Sequence, residues 1–384
     1  MDKVLKLPAI AACASIVAAG GCSWTLWEEG WTSVVCVGNA DGTGTALTIP
    51  RVGESDDLRP ALSATGATVA WWRHWTQQGE DILHDEVYVV ATAAPASPVE
   101  LTSRGHAWGW FPAISDDGAV VAWVGGDGDE SCDVFIGAAD GTTVPARIGG
   151  GPAAGTSGPT LSGDGTRVAW THYTSTGTAA LERAAAPGTR WVVAEADTLT
   201  SVADDVWIAN ADGSGSPLNV THNAGRDQDP SLSRDGTRIA WVSDRDGNLE
   251  VYVGNADGSG TPVHVSNDPG DDGEPRLSGD GTTVAWRAKD ADGTRRIYVA
   301  SAQGTPAPVE VSHNAEEVSR PSLSADGALV AWAEDHGDRA TVYVARTDGS
   351  DRVAIATSAG QGTWPSLSAD GTKVAWTGLQ WFRR

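Results

Sequence analysis

The chain has 384 residues, 40% of them hydrophobic, which is enough for a sizeable core and too many for global disorder. Its 50 acidic residues against 26 basic ones set a net charge of −24. This argues against nucleic acid and anionic membrane surfaces, both of which are bound through Lys and Arg. Cations, or partners with basic patches, fit the charge better. With 47 Gly and a single Met, the composition favours short strands and tight turns over helices.

The first 21 residues read MDKVLKLPAIAACASIVAAGG. Lys3 and Lys6 precede a short run of small apolar residues, which is export-signal chemistry and too short to span a bilayer. Ala19-Gly20-Gly21-Cys22 is similar to a bacterial lipobox, which makes Cys22 the candidate for lipidation. Ordinary secretion with cleavage nearby is the competing expectation. Either way the protein is expected outside the cytoplasm, at the cell surface, in the periplasm or secreted. Residues 22–31 form a Trp-rich spacer. Cys36 and Cys132 fall at different register positions of non-neighbouring repeats, so no disulfide is expected between them.

From here to the C-terminus one pattern recurs. It begins at Pro60, Pro112, Pro159, Pro230, Pro275, Pro321 and Pro365, and each Pro is followed 11 residues later by a Trp. The clearest copy is DPSLSRDGTRIAW, residues 229–241. Ser231-Leu232-Ser233 predicts a short strand, Asp235-Gly236 a hairpin turn, and Arg238 to Val242 a second strand with Ile239 and Trp241 on one face. Glu250 to Gly254 and Pro262 to Ser266 predict the third and fourth strands. Four antiparallel strands in about 40 residues make a propeller blade. The seven Trp at one repeat position read as core.

The third and fourth strands follow six of the seven copies. The last copy, Pro365 to Trp376, has no room for them, but SVVCVGNADGTGTALTI at residues 33–49 supplies the missing pair. The expected fold is therefore all-β: a seven-bladed propeller over residues 32–384 whose seventh blade is split between 32–51 and 364–384. Such closure removes both sheet edges.

The stretch PSLSRDGTRIAWVSDRDGNLEVYVGNADGSGTPVHVS resembles the TolB-like propeller repeat, a WD40-like unit of bacterial periplasmic and surface proteins. The likeness covers residues 32–384. The resemblance implies an extracytoplasmic binding scaffold. The α/β domain that precedes the propeller in TolB has no counterpart here, so a Tol–Pal role does not follow. No GxSxG elbow exists for a propeller-bearing serine peptidase.

Function is expected on the face formed by the loops before each Pro and those between strands two and three, here called the top. Candidate ligand-binding residues there are Trp75, Trp108, Trp110 and Trp364, with Asp227 and Asp272 in the pre-Pro segments. Trp27, Trp31 and Trp381 read as a clasp across the split blade. His74, His84, His106, His172, His222, His313 and His336 also fall in top segments. Related propellers include oligogalacturonate lyases, which use top-face His ligands for a metal. The alternative to a non-catalytic scaffold is thus a metal-assisted polysaccharide lyase or hydrolase. Asp127, Asp129, Ser131 and Asp133 alternate oxygen donors as in a calcium loop, against the competing reading of an ordinary Asp/Gly turn. No cofactor is certain, and calcium is the one the spacing suggests. The partner expected is a protein or glycan. An extra segment in blade 3, about Tyr173 to Val202, reads as a lid or hairpin over the channel mouth.

Overall fold

The structure is a computed structural model, which describes residues 29–50, 55–76, 83–102, 108–126, 133–149, 154–156, 158–175, 201–290, 293–305, 307–312, 317–336, 339–359 and 364–383. The candidate lipidation site Cys22, the first three members of the calcium-like loop (Asp127, Asp129 and Ser131), His106, His313, Trp27 and most of the blade 3 insertion lie outside them. Among the described residues no helix is long and apolar enough to cross a membrane.

The strands form seven antiparallel sheets, five of four strands and two of five. In each of the latter, two short segments stand in for a single innermost strand, as in blade 3, where Ala154–Thr156 and Thr160–Leu161 both pair with Arg167–Ser175. Blade 4 shows the plan: Asp227–Leu232, Arg238–Ser243, Glu250–Asn255 and Val263–His264 pair in that order. The sheet that completes the set takes its inner strands, Ser366–Leu367 and Lys373–Arg383, from the C-terminus. Its outer strands, Glu29–Asn39 and Leu47–Thr48, come from the N-terminus. The ladder between Glu29–Asn39 and Lys373–Arg383 places Trp31 opposite Trp381.

The repeated motif does three jobs. First, the second Ser builds the turn. Ser233 Oγ donates to Asp235 Oδ1 at 2.7 Å and accepts from Arg238 N at 3.0 Å, while Thr237 N donates to the same Asp235 oxygen. Gly236 sits at φ +65°, which a side chain rarely adopts. Second, the first Ser joins neighbouring blades: Leu277 N donates to Ser231 Oγ at 3.0 Å, and Leu367 N to Ser322 Oγ at 2.9 Å. Third, the Trp fills the seam between blades. Trp71, Trp123, Trp170, Trp241, Trp286, Trp332 and Trp376 are all at most 5% exposed. Trp286 packs with Ala240, Val251 and Val253 of the preceding blade, so the small Ala of one blade faces the indole of the next.

The turns also touch one another. Ala64 N donates to Asp116 O, Asp116 N to Gly163 O, Asp164 N to Arg234 O and Arg234 N to Gly279 O. Asp280 N then donates to Ala325 O, Ala325 N to Ala369 O and Asp370 N back to Ala64 O. This belt of backbone hydrogen bonds passes through every blade and returns to its start. Every buried peptide group needs such a partner, and here the partners lie in the neighbouring blade.

Candidate functional site

The residue immediately before each motif Pro lies on the innermost strand of blades 1, 2, 4 and 5, and just before its last segment in blades 3, 6 and 7, next to the central bore. In order these residues are Arg59, Phe111, Gly158, Asp229, Glu274, Arg320 and Trp364. At four of them the strand bulges: the register shifts between Leu58 and Ala61, Trp110 and Ala113, Gln228 and Ser231, and Gly273 and Arg276. The bulged residues carry positive φ without being glycine: Arg59 at 50°, Phe111 at 54°, Asp229 at 54° and Glu274 at 53°. Bulges re-aim side chains: Phe111 meets residues of the adjacent blades, and the three charged members interact with residues of more distant ones.

Arg59 of blade 1 lies 4.3 Å from the Phe111 ring centroid and 5.2 Å from that of Trp364 in blade 7. Trp72 adds its ring to the same group, 5.9 Å from Phe111 and 6.3 Å from Trp110. A Cβ at Gly158 would stand 2.9 Å from Phe111 Cβ, so the phenyl ring uses the space that glycine leaves. The charged members interact across the bore. Arg59 feels Arg320, Glu274 and Asp229, from blades 6, 5 and 4. Burial, then repulsion from Arg320, pushes the Arg59 guanidinium down to about 10. The same two causes push Arg276 down to about 9. Burial, then Glu274, raises the Asp229 carboxyl. Burial would raise Glu274 as well, but Arg287, Arg320, Arg276 and Arg59 together outweigh it and hold that carboxyl below its ordinary range. Arg287 Nε is 3.3 Å from Glu274 Oε2.

The site is therefore a bore lined by four arginines against two carboxylates, with aromatic faces on the blade 7 to blade 2 side. Cations shifted down by burial and then by mutual repulsion want anions. The arrangement can hold a carboxylate or another anionic group and stack an apolar or ring face beside it.

Of the residues singled out from sequence, Trp110 and Trp364 belong to this group through Phe111 and Arg59. Trp75 stands apart: it stacks on His84 with ring centroids 4.1 Å apart and donates to Glu86 Oε2 at 2.9 Å. Trp108 lies on the first strand of blade 2, Trp108–Ile114. Asp227 is fully buried and accepts from Trp241 Nε1 at 3.2 Å and Arg245 at 3.0 Å. Asp133 is 2.6 Å from Arg147. Among the described residues, no histidine joins a set of three metal-ligand side chains. His74 instead bonds Asp85 at 2.7 Å, and His172 packs edge-on to Trp207.

Arg59, Phe111, Asp229, Glu274, Arg276 and Arg320 were missed from sequence. The residues before the motif prolines are of six kinds, but the residues preceding those vary as widely, so nothing local marks them, or Arg276 just after Pro275, as lining a bore.

Seven four-stranded blades around a charged bore define a β-propeller. Its repeats are TolB-like. The chain is 40% identical over 110 residues to the protein TolB homolog of Chlorobium luteolum, a match covering 24% of this chain and 25% of that relative. It thus spans about a quarter of the curated relative it matches. The structure is similar to TolB from Agrobacterium tumefaciens, at a TM-score of 0.52 and 18% identity, covering 92% of this chain and 99% of that one. It is also similar to the oligogalacturonate lyase of Vibrio parahaemolyticus, at a TM-score of 0.61 and 13% identity over 91% and 98% of the two chains. At such identities the likeness to both structures is one of fold. No family model matches the chain.

Proposed function

We propose that the protein is an exported, non-catalytic binding propeller whose bore takes a carboxylate-bearing segment of a protein or glycan partner. The observation that supports this reading is the strained ring before the motif prolines. A positive φ on a non-glycine residue costs about 1–3 kcal/mol, and four blades hold one at the same position. The fold does not need them: blades 6 and 7 have Arg320 and Trp364 there without positive φ. The strain turns Arg59 toward Phe111 and Trp364, and Asp229 and Glu274 toward the arginines. The acidic exterior discourages indiscriminate polyanion binding, so a partner must present its carboxylate to the bore itself.

The lyase reading shares the bore but calls for converging metal ligands, and the described histidines face separate groups: His74 Asp85, His84 Trp75, His172 Trp207, His336 Glu334, and His264 Tyr252, Asp246 and Glu250. One experiment separates the two. Oligogalacturonate and an acidic peptide are titrated into the chain by calorimetry, with product formation followed in parallel. The scaffold reading expects binding of an anionic probe without turnover, weakened at least about tenfold in the Arg59→Ala/Arg320→Ala double variant. Turnover that chelator abolishes, or binding that ignores the double substitution, would overturn it.

A further inference from the structure

Blades 1 and 4 each bury a carboxylate three residues before the motif Pro and neutralise it with an arginine. Asp57 accepts from two guanidinium nitrogens of Arg73, Nε at 2.6 Å and Nη2 at 2.9 Å. Asp227 takes Arg245 at 3.0 Å. Each guanidinium also lies over the Tyr that stacks on the motif Trp, 4.4 Å from Tyr88 and 4.6 Å from Tyr252. Blade 5 keeps the carboxylate and changes its surroundings. Asp272 is 2% exposed, and no donor reaches either of its oxygens with hydrogen-bond geometry, although Ser266 and Trp286 face it. Ala288 occupies the register position that Arg73 holds in blade 1.

Other carboxylates gather where that cation is missing. Glu250, 2% exposed, opens the third strand of blade 4, and Asp268 lies in the connection between blades 4 and 5. One oxygen from each of Glu250, Asp268 and Asp272 lies within 4.8 Å of the others. The backbone draws them together: Asp272 N donates to Leu249 O at 2.8 Å, and Asn248 Nδ2 bridges Glu250 Oε1, at 2.7 Å, and the carbonyl of Asp268, at 3.1 Å. Ser266 Oγ gives its proton to Glu250 Oε2 at 2.7 Å. His264 has ion-pair distances to Asp246, 3.7 Å, and Glu250, 3.9 Å, and leaves Asp272 to itself. Three carboxylates in mutual reach, one of them buried and unpaired, are a costly arrangement without a counter-charge.

We propose that Glu250, Asp268 and Asp272 bind one hard divalent cation of the calcium class at the seam between blades 4 and 5. The donors are all oxygen, which suits calcium, magnesium or manganese and not a thiophilic metal. The cation does for blade 5 what Arg73 and Arg245 do for blades 1 and 4. It also ties the two blades together, because Glu250 belongs to one and Asp272 to the other.

The test is thermal melting of the full chain, stripped with chelator and titrated with calcium, then with manganese. Wild type should gain about 4 °C at a cation concentration a hundredfold above its dissociation constant. Asp272→Asn should lose that gain, and so should the surface variant Asp268→Asn, which leaves the buried seam intact. Asp229→Asn, in the bore, should keep it. A wild-type melting temperature indifferent to both cations overturns the site. So does a response that survives in Asp272→Asn, which would place the ion elsewhere.

Discussion

Asp229 offers a direct test of the strain that sets the bore. It sits at φ +54°, immediately before Pro230, where sterics favour extended backbone. Its amide donates to Thr171 Oγ1 at 3.1 Å, a bond that any residue at this position retains. Compare Asp229→Gly with Asp229→Ala. Both remove the same carboxylate, so the loss of its interaction with Arg276 and Arg320 cancels between them. Alanine at positive φ carries about 1–2 kcal/mol of strain that glycine escapes. Glycine forfeits about 0.4–1 kcal/mol through the unfolded chain. The glycine variant should therefore be the more stable by about 1 kcal/mol. Gln228, one residue earlier and outside the positive-φ set, is the control. There the order should invert, with Gln228→Ala above Gln228→Gly by about 0.5–1 kcal/mol. Equilibrium urea denaturation of the four variants reads the two differences. If Asp229→Ala equals or exceeds Asp229→Gly, the backbone is not strained and the case for a purpose-built ring falls with it.

The seam tryptophans should behave as core. Trp241→Ala should lose about 3–5 kcal/mol in urea denaturation, whereas Trp75→Ala, outside the seam, should stay within about 1 kcal/mol of wild type. A second expectation concerns acid. Asp117, Asp235 and Asp326 are held below the usual carboxylate range chiefly by hydrogen bonds from Ser115, Ser233 and Ser324. In Asp164, Asp280 and Asp370 the same Ser and Thr bonds outweigh burial, which acts to raise them. A depressed folded pKa means stability that is complete above the unfolded value of about 3.9 and is lost as pH falls through the folded one. Urea midpoints should therefore drop steeply below about pH 4, and Asp235→Asn should flatten that drop while lowering stability at pH 7. A midpoint that rises on acidification from pH 5 to 3 would contradict this.

The sequence by itself determined the ring. Seven Pro-to-Trp motifs at one spacing specify strand, turn and seam residue each time: the Ser–Asp–Gly turn needs only its own few residues, and the seam residue meets the same repeat position of a neighbour built to the same plan in every blade. The orphan outer-strand pair at residues 33–49 likewise announced that the last blade would draw on both ends of the chain. The site was another matter. Arg59, Glu274 and Arg320 are more than 40 residues apart in sequence, and nothing in their local context distinguishes them from surface charges. Only closure of the ring puts them across one bore, where burial, then Arg320, pushes the Arg59 guanidinium down, and the arginines outweigh burial to hold the Glu274 carboxyl down. The same holds for Asp227 and Asp272, which occupy one motif position and read alike. The tertiary structure gives one of them Arg245 and leaves the other facing Glu250 and Asp268, because the groups that decide a buried carboxylate's fate come from neighbouring strands and blades.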